Sequence, residues 1–387
     1  HFLCFTTLLN PKQELIRKII YTINHGMALK LFLLFVQSID VLFIRKKYIV
    51  FGSRAGRGYA DNAKYLYEYY LSRGKEVYFI TRNKKELYNI PGEPIYAYSL
   101  KAAYIMLRSK TLFCTHGRSD FFPYKLKPIY GREVINLYHG IPVKKVGDRS
   151  PRQRREIRHW NKFIVSSDFE AEFLSKQFEM DLNRFLVVGQ PRTDKLWEYK
   201  QPQTGRANSL ILYAPTFRDQ DCVRLFPFED VDLHSIDKFL KLNNQEIHIR
   251  VHPNDEKYFR DLGYNEKYEN IKVVNPAEEP SINDVLHRYG KLITDYSGIA
   301  LDFLILDRPI AYIPYDYSSY EKHRGFSYNY HEHLAGVILT NQVDLFNFLE
   351  TEDNAISNKR NAMLLKFRKF RDGKSSERIY EIFEAKN

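Results

Sequence analysis

Eleven short runs rich in β-branched and aromatic residues punctuate the chain from residue 47 onward, and helical patterns separate them. A parallel partner strand is reached only through a crossover that a helix usually fills, so this alternation builds parallel α/β units. The first set reads YIVFGS, EVYFIT, TLFCTH, VINLYHG, FIVSSD and FLVVGQP, with helices such as ADNAKYLYEYYLSRG between them, opened by Asp61 or Asn62 and closed at Gly74. A polar break, YKQPQTGRAN at 199–208, carries Pro202 and Gly205. The pattern then restarts with SLILYAPT, EIHIRVHP, IKVV, KLITDYS and PIAYIP. Two Rossmann-type domains facing each other across a central cleft are therefore predicted, over 45–200 and 201–387, the second closing with C-terminal helices.

Ligands of open α/β sheets gather beyond the carboxyl ends of the strands. Four strands here end in hydrogen-bonding groups: His139 and Gly140; Thr216, Arg218 and Asp219; Arg250 and His252; and Thr294 with Asp295, Ser297 and Gly298. Arginine forks, hydroxyls and a helix N-terminus after Gly298 suit phosphate. Asp295, a carboxylate, suits the turn's backbone or a neighbouring side chain instead, and Asp302 similar structural work. Neither GxGxxG nor GxxxxGK[ST] nor GxSxG occurs, which removes the dinucleotide, P-loop and serine-hydrolase fingerprints. FGSRAGRGYADN at 51–62 reads as a tight turn near the cleft. HEH at 331–333 lacks a third ligand at recognisable spacing and reads as an exposed loop, so no metal or other cofactor is expected.

The formal net charge is +12, which suits nucleic acid, phosphorylated substrates or acidic lipid headgroups. KKVGDRSPRQRREIRHWNK at 144–162 holds eight Lys or Arg against two acids. Directly after His139, it reads as an electrostatic guide for an anionic acceptor or a membrane surface, with Lys144, Lys145, Arg152, Arg154 and Arg155 as its members. The cysteines, Cys4, Cys114 and Cys222, are odd in number and far apart, pointing to a reducing, cytosolic compartment. The chain opens on His1 rather than Met, read as a processed boundary. Residues 1–44 form a separate helical segment. Within it, MALKLFLLFVQSIDVLFI at 27–44 carries Lys30, Gln37 and Asp40, against a bilayer span. It reads either as an amphipathic helix on a membrane, followed by Arg45, Lys46 and Lys47, or as a helix packed on the protein itself.

YHGIPVKKVG, ILYAPTFRD, RVHP, LITDYSGIALDF, DRPIAYIPYD and YEKHRGF resemble, in order and spacing, the CDP-glycerol glycerophosphotransferases of the teichoic acid type, over roughly residues 45–375. The resemblance implies a GT-B-like α/β fold, a first acceptor domain, a second CDP-polyol donor domain and an N-terminal membrane-associating segment. It also implies transfer of glycerol phosphate, or ribitol phosphate, from the CDP-polyol to a hydroxyl of a lipid-linked or polymer acceptor, with release of CMP. Such a protein works at the cytoplasmic face of the membrane as a peripheral enzyme, without nucleic acid, in teichoic acid or capsule synthesis; an oligomer stays open. The family's HG histidine falls on His139, implied as general base, and its HP histidine on His252, implied to contact the diphosphate and the departing CMP. Arg218, Thr216, Thr294, Ser297, Gly298 and Arg324 form the implied phosphate clamp.

Tyr138 stands where the family commonly has Trp, Ile141 precedes Pro142 where it has Thr, Gly298 replaces a serine, and Ala335 with Gly336 replaces Pro-Gly. With Gly298 a hydroxyl is missing, and Gly298→Ser is expected to act on donor affinity. A nucleotide-sugar glycosyltransferase of GT-B type and a non-catalytic basic module binding membrane or nucleic acid are the alternatives.

Overall fold

The computed structural model describes residues 47–128, 131–147, 150–200, 209–218, 223–251, 261–274, 281–351 and 357–385, with Phe35, Ser38, Asp40, Asp255, Tyr258 and Phe259. Seven strands, β1 (Tyr48–Phe51), β2 (Val77–Thr81), β3 (Glu93–Tyr96), β4 (Ser109–Cys114), β5 (Glu133–Asn136), β6 (Lys162–Val165) and β7 (Phe185–Val187), form one sheet in the order β3-β2-β1-β4-β5-β6-β7. A second sheet takes β8 (Leu210–Ala214), β9 (Glu246–Ile249), β10 (Ile271–Val273), β11 (Lys291–Thr294), β12 (Ile310–Tyr312) and β13 (Val337–Ile338) in the order β10-β9-β8-β11-β12-β13. All pairings within both sheets are parallel.

Every one of the eleven predicted runs contributes a strand. The two strands outside the prediction, β3 and β13, are sheet edges. The sequence of β3, EPIY, places Pro94 where an inner strand needs a donor, and β13 has only two residues. Each sheet is doubly wound and open, and the pair forms the GT-B-like arrangement. One apolar cluster runs without interruption from Ile141 and Val143 of the first domain into Tyr296 and Tyr320 of the second.

One expectation changes. The last helix, Ser375–Glu384, does not stay with the second domain: Ile379 and Phe383 join the core formed by Ile49, Phe51, Leu66 and Phe113 of the first, and Lys75 pairs with Glu384 at 2.5 Å. The chain thus crosses back and ties its two halves together. The 27–44 segment lies outside the described residues except for Phe35, Ser38 and Asp40. Asp40 is buried, and its two oxygens accept from Arg132 Nη1 and Nη2 at 2.6 and 2.8 Å. Among the described residues no helix is long and apolar enough to cross a membrane.

Candidate active site

The chain leaves β5 through a sharp turn: Tyr138 has φ 54° and Gly140 φ 141°. Asn62, at the start of the helix Asp61–Ser72, donates to the carbonyls of Leu137 and Tyr138 at 2.8 and 3.1 Å and so holds the turn from behind. Arg192 Nη1 donates to the carbonyl of His139 at 2.7 Å, and a Cβ on Gly140 would stand 2.5 Å from Arg192 Nη2, so only glycine leaves room for that grip. The His139 ring therefore projects from a fixed backbone into the cleft.

His116, beyond the end of β4, lies flat on His139, with ring centroids 4.4 Å apart and an interplanar angle of 3°. Its position is set by Asp120, whose carboxylate gathers the backbone N–H groups of Ala55, Thr115 and His116 at 2.7, 2.7 and 2.8 Å. Ala55 belongs to the glycine-rich 51–62 turn, which does lie at the cleft. The His139 ring is open to solvent, yet it sits deep between the domains. Desolvation there, then the His116 ring, lowers its pKa from the ordinary 6.5, so the imidazole is neutral at pH 7. Nδ1 lies 3.5 Å from the carbonyl of Thr115, which favours the tautomer that leaves Nε2 as the basic nitrogen.

The opposite wall is different. Arg218, expected in the phosphate clamp, is buried and fully engaged: Nε and Nη2 donate to Asp316 at 2.7 and 3.0 Å, Nη2 to Asp295 at 2.9 Å, and Nη1 to the Thr216 carbonyl at 2.5 Å. The rings of Tyr296, Tyr315 and Tyr320 surround its guanidinium at 5.0–5.3 Å. It is a brace, not a clamp. Asp295 also accepts from the N–H groups of Thr216 and Tyr296, the turn-holding work expected of it. Thr294 is likewise removed from the clamp, because its buried hydroxyl donates to the Ala214 carbonyl at 2.7 Å.

Ser297 Oγ accepts from the N–H of Ile299 at 3.4 Å within its own turn. The helix after Gly298, Ile299–Phe303, has only five residues, and its first amides bond within the turn. Gly298 meets the other domain: a Cβ there would stand 2.6 Å from the Ile141 carbonyl. The glycine admits a neighbouring backbone, and no hydroxyl is missing. Thr216 is the exception on this wall, with a buried hydroxyl that has no hydrogen-bond partner among the described residues. His252 lies outside the described residues.

Both domains line a cavity of about 730 Å³ that holds His116 and His139 together with Lys144, Lys145, Arg152 and Arg324. Arg324, expected in the phosphate clamp, instead lines this cavity with the first three members of the basic run. Arg154 and Arg155 do not: both are exposed, and Arg154 pairs at 3.5 Å with Glu179 on the surface. A two-strand strap forms one rim. Lys144 bridges antiparallel to Phe326, the Lys145 N–H donates to the Gly325 carbonyl and the Ser327 N–H to that of Val143, both at 2.9 Å. The strap joins the KKVG and HRGF motifs across the cleft.

Behind the strap the domains are latched by Asp302, which takes Arg192 at 2.5 Å, Arg368 at 2.7 Å and Asn283 at 3.1 Å, all buried. Sequence reading missed Arg192, Arg368 and His116. Only His116 carries a usable signal, since HG follows a strand at 116–117 as it does at 139–140. The HEH loop is only partly exposed: His333 is buried and stacks on Phe169 at 5.4 Å. Among the described residues no group of three or more His, Cys, Asp or Glu could hold a metal ion.

The chain is 26% identical over 373 residues to the teichoic acid glycerol-phosphate transferase of Staphylococcus aureus, covering 86% of this chain and 92% of that protein. It is 29% identical over 377 residues to the teichoic acid poly(glycerol phosphate) polymerase of Staphylococcus epidermidis, covering 88% of this chain but only 50% of the polymerase. Among solved structures it superposes on the wall teichoic acid polymerase TagF with a TM-score of 0.76 at 25% identity, covering 96% of this chain and 98% of that one. A histidine variant of TagF soaked with CDPG is equally similar, at the same TM-score, identity and coverage. Residues 34–384 match the model of one family, and by that match the chain belongs to the CDP-glycerol:poly(glycerophosphate) glycerophosphotransferases.

Proposed function

We propose that this enzyme transfers glycerol phosphate, or a related polyol phosphate, from a CDP-polyol to a hydroxyl of a lipid-linked or polymer acceptor in teichoic acid synthesis, with His139 as general base. The observation that carries this role is the neutral His139 ring, held at its carbonyl by Arg192 and facing a basic cavity. His139 Nε2 takes the proton of the acceptor hydroxyl, whose oxygen attacks the polyol-bearing phosphorus. The P–O bond to the nucleotide breaks and CMP leaves. A neutral imidazole is what a base working near pH 7 requires, and phosphoryl transfer asks the rest of the site for positioning and charge neutralisation.

The donor belongs on the second domain, near the partnerless Thr216 hydroxyl and the Arg250–His252 strand end, with His252 assigned to the diphosphate and departing CMP. The first domain, from about residue 45 to 200, receives the acceptor, and residues 201–387 make up the donor half apart from the returning last helix. The N-terminal segment, which meets the first domain at Asp40, is assigned to the cytoplasmic face of the membrane.

The test is incubation with CDP-glycerol, CDP-ribitol and a panel of nucleotide sugars in the presence of acceptor. Acceptor-dependent CMP release is expected. His139→Ala should lower it by about 10²–10⁴-fold without changing the unfolding midpoint. Because the His139 pKa is lowered, activity should show no acid limb near 6.5 and should fall only at more acidic pH. Release of a nucleoside diphosphate without CMP overturns the reading.

A further inference from the structure

His139 is gripped at its backbone, but hydrogen bonds do little to hold its ring. Among the described residues the one hydrogen-bonding approach to that ring is Nδ1 to the Thr115 carbonyl, at 3.5 Å. This is longer than the roughly 2.7–3.2 Å of a firm N–H···O bond and cannot fix the plane of the imidazole. Nor does any carboxylate among the described residues hydrogen-bond to that nitrogen, as one does in a Ser-His-Asp triad. The ring is held at its face instead: His116 lies flat on it at 4.4 Å and 3°, and Tyr138 leans against it at 4.2 Å and 44°. His116 is fastened in turn. Asp120 Oδ2 accepts from the N–H groups of Thr115 and His116 at 2.7 and 2.8 Å and from the Thr115 hydroxyl at 3.3 Å. The Thr115 oxygen is thereby left to accept from His116 Nδ1 at 2.8 Å. The chain just beyond is pinned again, where Glu156 accepts from the Arg118 N–H at 2.7 Å and from its guanidinium at 2.9 Å. Thr115 and Asp120 are buried, whereas the ring that they anchor is exposed and faces the cavity.

We propose that His116 is a positioning residue for the transfer: its imidazole, fixed by Thr115 and Asp120, is the platform that holds the His139 ring in the plane from which Nε2 reaches the acceptor hydroxyl. The inference rests on the reading of His139 as general base and deepens it, because the orientation that a triad draws from a hydrogen bond is drawn here from stacking. Flat contact constrains direction as well as distance: turning either ring about its Cβ–Cγ bond drives an edge into the other ring's face. The same geometry excludes a proton relay between the two. In nearly parallel rings the nitrogens point sideways, in the planes, so neither imidazole donates to the other. Thr115, the residue after β4, sets both planes, with its carbonyl towards His139 Nδ1 and its hydroxyl on His116 Nδ1. Because the His116 side chain is exposed and bonds only to the Thr115 hydroxyl among the described residues, replacing it leaves the buried Asp120 array in place.

Acceptor-dependent CMP release by the full chain tests this, with CDP-glycerol and acceptor varied in turn, for wild type, His116→Ala and His116→Phe. Alanine removes the platform, and phenylalanine keeps a flat ring without its nitrogens. His116→Ala should lower kcat by about three- to tenfold, the range that one stacked aromatic pair supplies. The KM for each substrate and the urea unfolding midpoint should stay at their wild-type values, a split that damage to the fold would not give. His116→Phe should recover most of the lost kcat. Wild-type kcat in His116→Ala overturns the inference and leaves the phosphotransferase reading standing. A phenylalanine variant no faster than the alanine one overturns it too, since the His116 nitrogens would then be touching substrate. A rise in KM at unchanged kcat makes His116 a binding residue and has the same consequence. Absence of CMP with the wild-type protein removes the reading and this inference together.

Discussion

The two walls of the cleft carry similar polar residues at similar strand ends and use them in opposite ways. On the first domain, His139 and His116 are held by their backbones, through Arg192 and Asp120, and their rings are left facing the cavity. On the second, Arg218, Thr294, Asp295 and Ser297 bond to one another, to Asp316 and to the adjoining backbone. Polarity at a strand end therefore marks the cleft but does not say whether a group serves a ligand or the fold. What separates the cases is where the hydrogen bonds go: to the backbone behind an open side chain, or to the side chain itself.

The largest effect that tests this contrast is expected at Arg218. If it braces the wall, Arg218→Ala leaves Asp295 buried with Asp316 and no cation, and the protein should lose about 3–5 kcal/mol in urea unfolding. A catalytic clamp residue would instead lose turnover at unchanged stability, the pattern expected of His139→Ala. An Arg218→Ala protein that unfolds at the wild-type urea midpoint breaks the comparison.

Gly298 comes next. A serine there brings Cβ to 2.6 Å from the Ile141 carbonyl, two residues beyond His139. The two walls must part, at a cost of about 1–3 kcal/mol, and turnover should fall because the His139 turn moves with Ile141. This reverses the expectation of a restored donor contact. Tighter CDP-glycerol binding by Gly298→Ser, with unchanged stability, would reinstate the missing hydroxyl.

The fold was legible because its signal is local. Each β-rich run between helix caps announced a strand, and only the short or proline-bearing edges β3 and β13 escaped. The open wall was half legible: the YHG turn was found, while His116 was passed over although it repeats the same HG dipeptide. The second wall was misread because the information is not local. Arg218 meets Asp295 across 77 residues and Arg192 meets Asp302 across 110, and neither residue type nor spacing says that a cation has already found its carboxylate. Gly298 shows the same limit, since its reason is a carbonyl on the other domain.

The smallest expected effect on turnover lies in the seam between the walls, where Glu170 is fully buried within the field of Arg192, Arg368 and Asp302. Desolvation pushes its pKa from 4.5 up to about 7, against the pull of the Ser166 N–H that it accepts at 2.7 Å. Between those two pH values the folded protein keeps a proton that the unfolded chain has released. Stability attributable to Glu170 is therefore fully present below pH 4.5, falls as pH rises towards 7, and is flat above. Glu170→Gln keeps the shape and the acceptor for Ser166 while removing the titration. Its stability relative to wild type should rise by about 3 kcal/mol between pH 4.5 and pH 8, read from urea midpoints. Activity should not follow, because the proposed general base, His139, stands on the open wall. A variant whose pH–activity profile shifts while its pH–stability profile matches wild type would show that the seam feeds the chemistry directly, and that the division between open and engaged groups does not hold there.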